Sequence, residues 1–233
     1  RCLGELSGPL HQGRGVMADA VFFDLDGTLI DTAPDFHTVL NAMLAEAGKP
    51  AMPFEKVRAQ VSNGARAVVQ TGFGGAPGEQ HFDALLAEFL DRYVDHLTVG
   101  SQLFAGMDDV LDKLEARRIP WGIVTNKPAR FTTPLLAGLK LADRVGPVIC
   151  PDHVAERKPH PEGLLKAAAM VGADPTRCVY IGDHDRDIAA GRNAGMKTIG
   201  VLFGYLDEGE DPKDWQADMY AEDAAELIRL LNI

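Results

Sequence analysis

Two aspartates with one residue between them, Asp24 and Asp26, close a short apolar run from Ala20 to Phe23. Carboxylates this close repel each other unless a proton or a cation lies between them, so the pair suggests a metal. Gly27 then permits a sharp backbone turn, and Thr28 offers a hydroxyl to a bound substrate. The apolar run reads as a strand buried on both faces. In an α/β sheet, ligands bind in the crevice beyond the carboxyl ends of such strands. Asp-Gly after a strand is also a hairpin signal, and taken alone the stretch reads about equally as a turn or a site. A hairpin needs a second alternating strand, however, and Thr32-Ala-Pro-Asp35 leads into a helix instead.

Three further polar stations follow apolar runs or lie in their loops. Thr125 and Asn126 end the run Pro120 to Val124, Lys158 lies in the irregular loop from Pro151 to Pro161, and Asp183 and Asp187 follow the run Cys178 to Ile181. Singly, each has a plain explanation: a turn and helix cap, a surface lysine, acidic residues at a helix start. In a parallel sheet all the strand ends face one way, and the plain explanations would need all four stations to gather at one edge by chance. Together they suit phosphoryl transfer. A hard cation such as Mg2+ prefers oxygen ligands, which Asp24 and Asp183 can supply. The other Asp24 oxygen can attack phosphorus to form an aspartyl-phosphate. Thr125, Asn126 and Lys158 can hold the remaining phosphate oxygens. Asp26 can protonate the departing alkoxide and later deprotonate the attacking water.

The elements that must position these residues alternate. Helices are expected at Asp35–Ala47, Pro53–Val61, Ala65–Gln70 and Gln80–Leu97, with a turn at Ser62-Asn63-Gly64 and a Gly-rich connection from Gly72 to Gly78 that lacks P-loop spacing. The longest stripe, Phe82, Leu85, Leu86, Phe89, Leu90, Tyr93 and Leu97, reads as core, and no strand is expected between Pro34 and Gly100. Beyond Ser101, strands at Pro120–Val124, Val148–Cys150, Cys178–Ile181 and Thr198–Leu202 alternate with helices near Met107–Leu114, Thr132–Leu139, Glu162–Val171, Ile188–Ala194 and Ala224–Leu231. This pattern predicts an α/β fold, a doubly wound parallel sheet with a Rossmann-like core. Residues 17–33 and 101–233 would form that core, and 34–100 a helical cap domain inserted after the first strand. Residues 1–16 read as an extension outside the core, either a segment upstream of a natural start at Met17 or a loosely packed N-terminal arm.

With 233 residues, 46% hydrophobic and 24% charged, the composition is that of an ordinary soluble globular protein. The net charge of −11 argues against nucleic acid or an anionic membrane as the main partner. An anionic substrate stays open, because a metal and a few cations reverse the local field. No apolar run is long enough to span a membrane. Cys2, Cys150 and Cys178 form no CxxC pattern, and a reducing cytoplasm fits them best.

Asp24-Leu-Asp26-Gly-Thr, Thr125-Asn, Lys158-Pro and Gly182-Asp183 with Asp187 resemble, in order and spacing, the four motifs of the haloacid dehalogenase-like phosphatases, over about Ala20 to Val201. The resemblance implies Asp24 as nucleophile and Asp26 as acid/base. It implies Mg2+ bound by the Asp24 carboxylate, the Asp26 backbone carbonyl and Asp183, with Asp187 in support, beneath a mobile cap. Dehalogenases of this family lack the second aspartate, so Asp26 points to a phosphatase. Thr125-Asn-Lys-Pro128 is similar to the phosphoglycolate phosphatase branch. Phe104-Ala-Gly-Met107, Trp121-Gly, Ile149-Cys-Pro-Asp-His-Val154 and Gly204-Tyr205 resemble more narrowly the N-acetylmuramate 6-phosphate phosphatases of cell-wall recycling. The implied partner is a small phosphorylated metabolite. A sugar phosphomutase and a receiver-like signalling module are the remoter alternatives. Arg66, beside the Ser62-Asn63-Gly64 turn, is by base rate a solvated surface cation; on the functional reading it pairs with a substrate carboxylate.

Overall fold

The computed structural model describes residues 16–206 and 209–233. The expected extension therefore lies outside the described residues except at Val16, whose N–H donates to the Leu230 carbonyl at 2.7 Å.

Six parallel strands form one sheet in the order β5-β4-β1-β6-β7-β8, with β1 at Ala20–Phe23, β4 at Trp121–Val124, β5 at Val148–Ile149, β6 at Cys178–Gly182, β7 at Lys197–Val201 and β8 at Met219–Ala221. Because side chains alternate along a strand, Val21 and Phe23 enter one apolar layer and Ala20 and Phe22 the other. The first layer packs on α5 (Met107–Ala116), α6 (Ala129–Gly138) and α9 (Ala224–Leu231), and the second on α7 (Glu162–Val171) and α8 (Asp185–Asn193). Both faces of β1 are thus dry, which is why its sequence carries no polar alternation. Truncating Phe22 or Phe23 to alanine would cost about 3–5 kcal/mol.

Four helices fill the stretch after β1: α1 (Ala33–Glu46), α2 (Phe54–Arg58), α3 (Ala65–Phe73) and α4 (Gln80–Val94), with a 3-10 turn at Val61–Asn63. No strand interrupts residues 34–100, as expected. The α1 face of Phe36, Val39, Leu40, Met43 and Leu44 packs with Val68, Val69, Phe82, Phe89 and Tyr93 into a separate apolar cluster, joined from the sheet side by Phe131 and Tyr205. Leu85, Leu86 and Leu90 of the α4 stripe are only partly buried. The chain enters and leaves this helical layer through two short antiparallel strands, β2 (Ile30–Asp31) and β3 (Gln102–Leu103). The buried Asp35 carboxylate fastens the two crossings, accepting the N–H groups of Gly100 and Ser101 at 2.7 and 2.9 Å and the Ser101 hydroxyl at 2.6 Å. Two-residue strands are too short to show a period of two, so β2 and β3 were invisible to periodicity.

Candidate active site

Register assembles the stations. Phe23 lies beside Ile123 on one side and Ile181 on the other, so Asp24, Thr125 and Asp183 emerge together at the carboxyl edge. The Asp24 N–H donates to Ile181 O at 2.8 Å, which holds the start of the loop against β6.

Asp24, Asp183 and Asp187 present carboxylate oxygens that all lie within 4.8 Å of one another. Asp183 and Asp187 are fully buried. Burial pushes the Asp183 carboxyl up to about 7, with the charges of Asp187 and Asp24 adding to it. Burial also raises Asp187, against the pull of Lys158. The Lys158 ammonium stands 2.6 Å from Asp187 Oδ1 and 2.8 Å from Asp24 Oδ1, the latter as an ion pair without hydrogen-bond alignment. Burial works against that ammonium, but Asp187 and Asp24 together hold its pKa above the usual value. Its third contact is the Tyr180 hydroxyl at 2.8 Å, which itself donates to Val124 O.

One cation cannot balance three carboxylates, and Asp187 Oδ2 is buried with no hydrogen-bond partner. Glycines leave the room: a Cβ on Gly27 would stand 2.1 Å from Asp183 Oδ2, and one on Gly204 2.3 Å from the Asp183 Cβ. A charge deficit, an unpartnered oxygen and an all-oxygen donor set fit a hard divalent cation.

Asp26 sits apart from this cluster. Its carboxylate accepts the Thr32 hydroxyl at 2.6 Å and the Lys127 ammonium at 3.0 and 3.2 Å. The two aspartates of the opening motif therefore have different surroundings. Thr125 Oγ accepts the Lys127 N–H at 3.1 Å and keeps its own proton for another acceptor. Asn126 spends one amide N–H on Lys158 O at 3.1 Å. Thr28 departs from expectation. It is fully buried, and its hydroxyl donates to Asp183 Oδ1 at 2.8 Å, so it orients a carboxylate and does not face the crevice.

A cavity of about 1000 Å³ opens between the strand ends and the helices, lined by Asp24, Asp26, Thr125, Asn126 and Lys158 below and by Arg66 and the 62–65 turn above. Leu86 and Leu90 also line it, so part of the α4 stripe expected in the core faces the cavity. The turn is held down. Ser62 Oγ donates to Asp183 Oδ2 at 3.0 Å, Arg186 Nη2 donates to Ser62 O at 2.8 Å, and Arg58 Nη2 to Phe203 O at 2.8 Å.

From sequence, Lys127, Arg186 and Tyr180 have no place in the site, Tyr93 reads as core, and Ser62 only as part of a turn. Tyr205, quoted only as part of a matching motif, is a hub. Its N–H donates to Asp183 Oδ2 at 3.0 Å, and its hydroxyl donates to Asp31 Oδ1 at 2.6 Å and accepts the N–H groups of Thr32 and Ala33. Only Lys127 carried a signal, as the cation directly after Thr125-Asn126.

Carboxylates at the ends of β1 and β6, a hydroxyl at the end of β4 and a lysine between them define a haloacid dehalogenase-like hydrolase. The model of that family matches residues 21–201, and the chain belongs to it. Among its relatives are the N-acetylmuramic acid 6-phosphate phosphatase of Pseudomonas putida, 45% identical over 91% of this chain and 96% of the relative, and a phosphoglycolate phosphatase of Xanthomonas campestris, 44% identical over 89% and 94%. The fold matches that of a predicted phosphoglycolate phosphatase from Haemophilus somnus with a TM-score of 0.80 at 23% identity, covering 94% of this chain and 99% of the other. The chain is a phosphatase of this family. Among the described residues no helix is long and apolar enough to cross a membrane.

Proposed function

We propose that this enzyme is a Mg2+-dependent phosphatase whose substrate is N-acetylmuramate 6-phosphate, acting in the cytoplasm. The observation that carries the substrate assignment is the cavity. At about 1000 Å³, with both cations and apolar side chains on its walls, it suits an amino sugar bearing a lactyl carboxylate. The two carbons of phosphoglycolate would leave most of that space to water. Identity alone does not discriminate, since relatives of both names match almost equally. Phosphoglycolate is therefore the second reading.

In the proposed reaction, one oxygen of Asp24 attacks phosphorus while Thr125, Asn126 and Lys158 hold the phosphate oxygens. Asp26 gives its proton to the leaving sugar oxygen, then takes one from the water that releases phosphate from Asp24. Asp24, Asp183, Asp187 and the Asp26 backbone carbonyl would hold Mg2+, which when bound offsets the negative charge shared by nucleophile and substrate. Residues 34–100 act as a cap over a core of 17–33 and 101–233, excluding water until the ester is cleaved. The test is kcat/KM for both esters in Mg2+ and in chelator. Preference for N-acetylmuramate 6-phosphate and silence in chelator support the proposal. Preference for phosphoglycolate selects the second reading, and full activity in chelator removes the metal. Transfer of the phosphoryl group to a second sugar hydroxyl would indicate a mutase.

A further inference from the structure

Lys127 follows the phosphate-facing pair Thr125-Asn126, yet its side chain turns away from the acidic cluster. It is 7% exposed, and its ammonium is shared between two parts of the molecule. On the sheet side it donates to both oxygens of Asp26, at 3.0 and 3.2 Å. On the helical side it donates to the Tyr93 hydroxyl at 3.0 Å and lies 4.9 Å from the centre of the Tyr93 ring and 5.0 Å from that of Phe36. Phe36 is on α1 and Tyr93 on α4.

A buried ammonium is costly unless it is paired. Here the Asp26 carboxylate, the Tyr93 hydroxyl and the Phe36 ring face replace its water. Two of those three groups lie on α1 and α4. With these helices displaced, the ammonium would regain water and conformational freedom, and its grip on Asp26 would loosen. The geometry points to Lys127 as a positioning residue. It aims the Asp26 carboxylate, and it does so fully only when the helical layer is seated, so that closure of the layer completes the acid/base. This inference rests on the reading of Asp26 as the acid/base.

The test uses leaving groups. A sugar or glycolate oxygen needs a proton as it departs, whereas the phenolate of p-nitrophenyl phosphate leaves without one. Lys127→Met keeps the stem and removes the ammonium. Tyr93→Phe keeps the ring and removes the hydroxyl. Single-turnover formation of the phospho-enzyme is followed with p-nitrophenyl phosphate and with whichever alkyl ester, N-acetylmuramate 6-phosphate or phosphoglycolate, the enzyme turns over. Lys127→Met should slow the alkyl ester by about tenfold to a hundredfold, within the range of acid catalysis, and the aryl ester by less than about threefold. Tyr93→Phe should act in the same sense, more weakly. In an Asp26→Asn background, either change should add nothing further to the alkyl-ester rate, since a residue acting through Asp26 is fully non-additive with it. Equal slowing of both esters, or additivity with Asp26→Asn, overturns the proposal. Should Lys127→Met not fold, the Tyr93→Phe cycle decides alone by the same criteria. If Asp26→Asn itself shows no leaving-group dependence, the acid/base reading has failed and Lys127 falls with it. If it does and Lys127→Met is additive, only the role of Lys127 is lost.

Discussion

Asp183→Asn should stabilise the metal-free protein at alkaline pH while weakening its response to Mg2+. In the folded chain burial and two neighbouring carboxylates lift the Asp183 pKa from 3.8 to about 7. Between about pH 4 and pH 7 the folded state keeps a proton that the unfolded chain has lost, so stability falls as pH rises through that window. Three pKa units at 1.36 kcal/mol each set a ceiling of about 4 kcal/mol. Asp187 titrates together with Asp183, so half of that ceiling, about 2 kcal/mol, is taken for the one site. The amide can keep the hydrogen bonds: its oxygen accepts from Tyr205 N and Ser62 Oγ, and its NH2 donates to Thr28 Oγ1 after that hydroxyl rotates. In chelator the variant should therefore melt roughly 4–8 °C above the parent at pH 8, at 2–4 °C per kcal/mol for a chain of this size. The difference should shrink towards pH 5, where Asp183 is protonated in the parent. Added Mg2+ should raise the parent more than the variant. Thermal melts at pH 5 and pH 8, with chelator and with Mg2+, measure all of this. A variant that melts at or below the parent at pH 8 in chelator would refute the electrostatic account of the cluster.

Asp24→Asn should abolish turnover with the circular dichroism spectrum unchanged, because an amide cannot attack phosphorus; substantial residual activity in a deamidation-checked sample removes Asp24 as nucleophile. Arg66→Ala should lower kcat/KM for a carboxylate-bearing ester by roughly tenfold to a hundredfold, the worth of a charge-assisted pair of about 1.5–3 kcal/mol. Hydrolysis of p-nitrophenyl phosphate should barely change, and an equal fall in both would mean that Arg66 only supports the 62–65 turn. Gly27→Ala would place a methyl group against Asp183 Oδ2 at a backbone φ of +84°. Beyond the backbone strain of about 1–2 kcal/mol, it should weaken Mg2+ binding by roughly tenfold or more, read by calorimetric titration; unchanged affinity would show that the close approach is unimportant.

Sequence alone determined the parts of this protein that are local or periodic. A run such as Ala20–Phe23, apolar at every position and followed by a turn signal, reads as a strand buried on both faces. Once five such runs alternate with helices, the parallel sheet follows, and with it the common edge where Asp24, Thr125 and Asp183 emerge. The acidic cluster was legible because Asp24 and Asp183 directly follow β1 and β6, and Asp187 lies one helical turn further on, in the first turn of α8. Tertiary structure decided what depends on contacts between distant segments. Lys127 meets Asp26 across 101 positions and Tyr93 across 34, and Tyr205 reaches Asp31 across 174. Nothing in the local sequence encodes such a meeting. Thr28 shows the same limit at short range: its type announced a hydroxyl at the site, but the turn made by Gly27 aims that hydroxyl at Asp183 and away from the cavity. The strand β8 and the two-residue strands β2 and β3 escaped for a related reason. Their pairing is imposed by neighbours already in place, not by any propensity of their own.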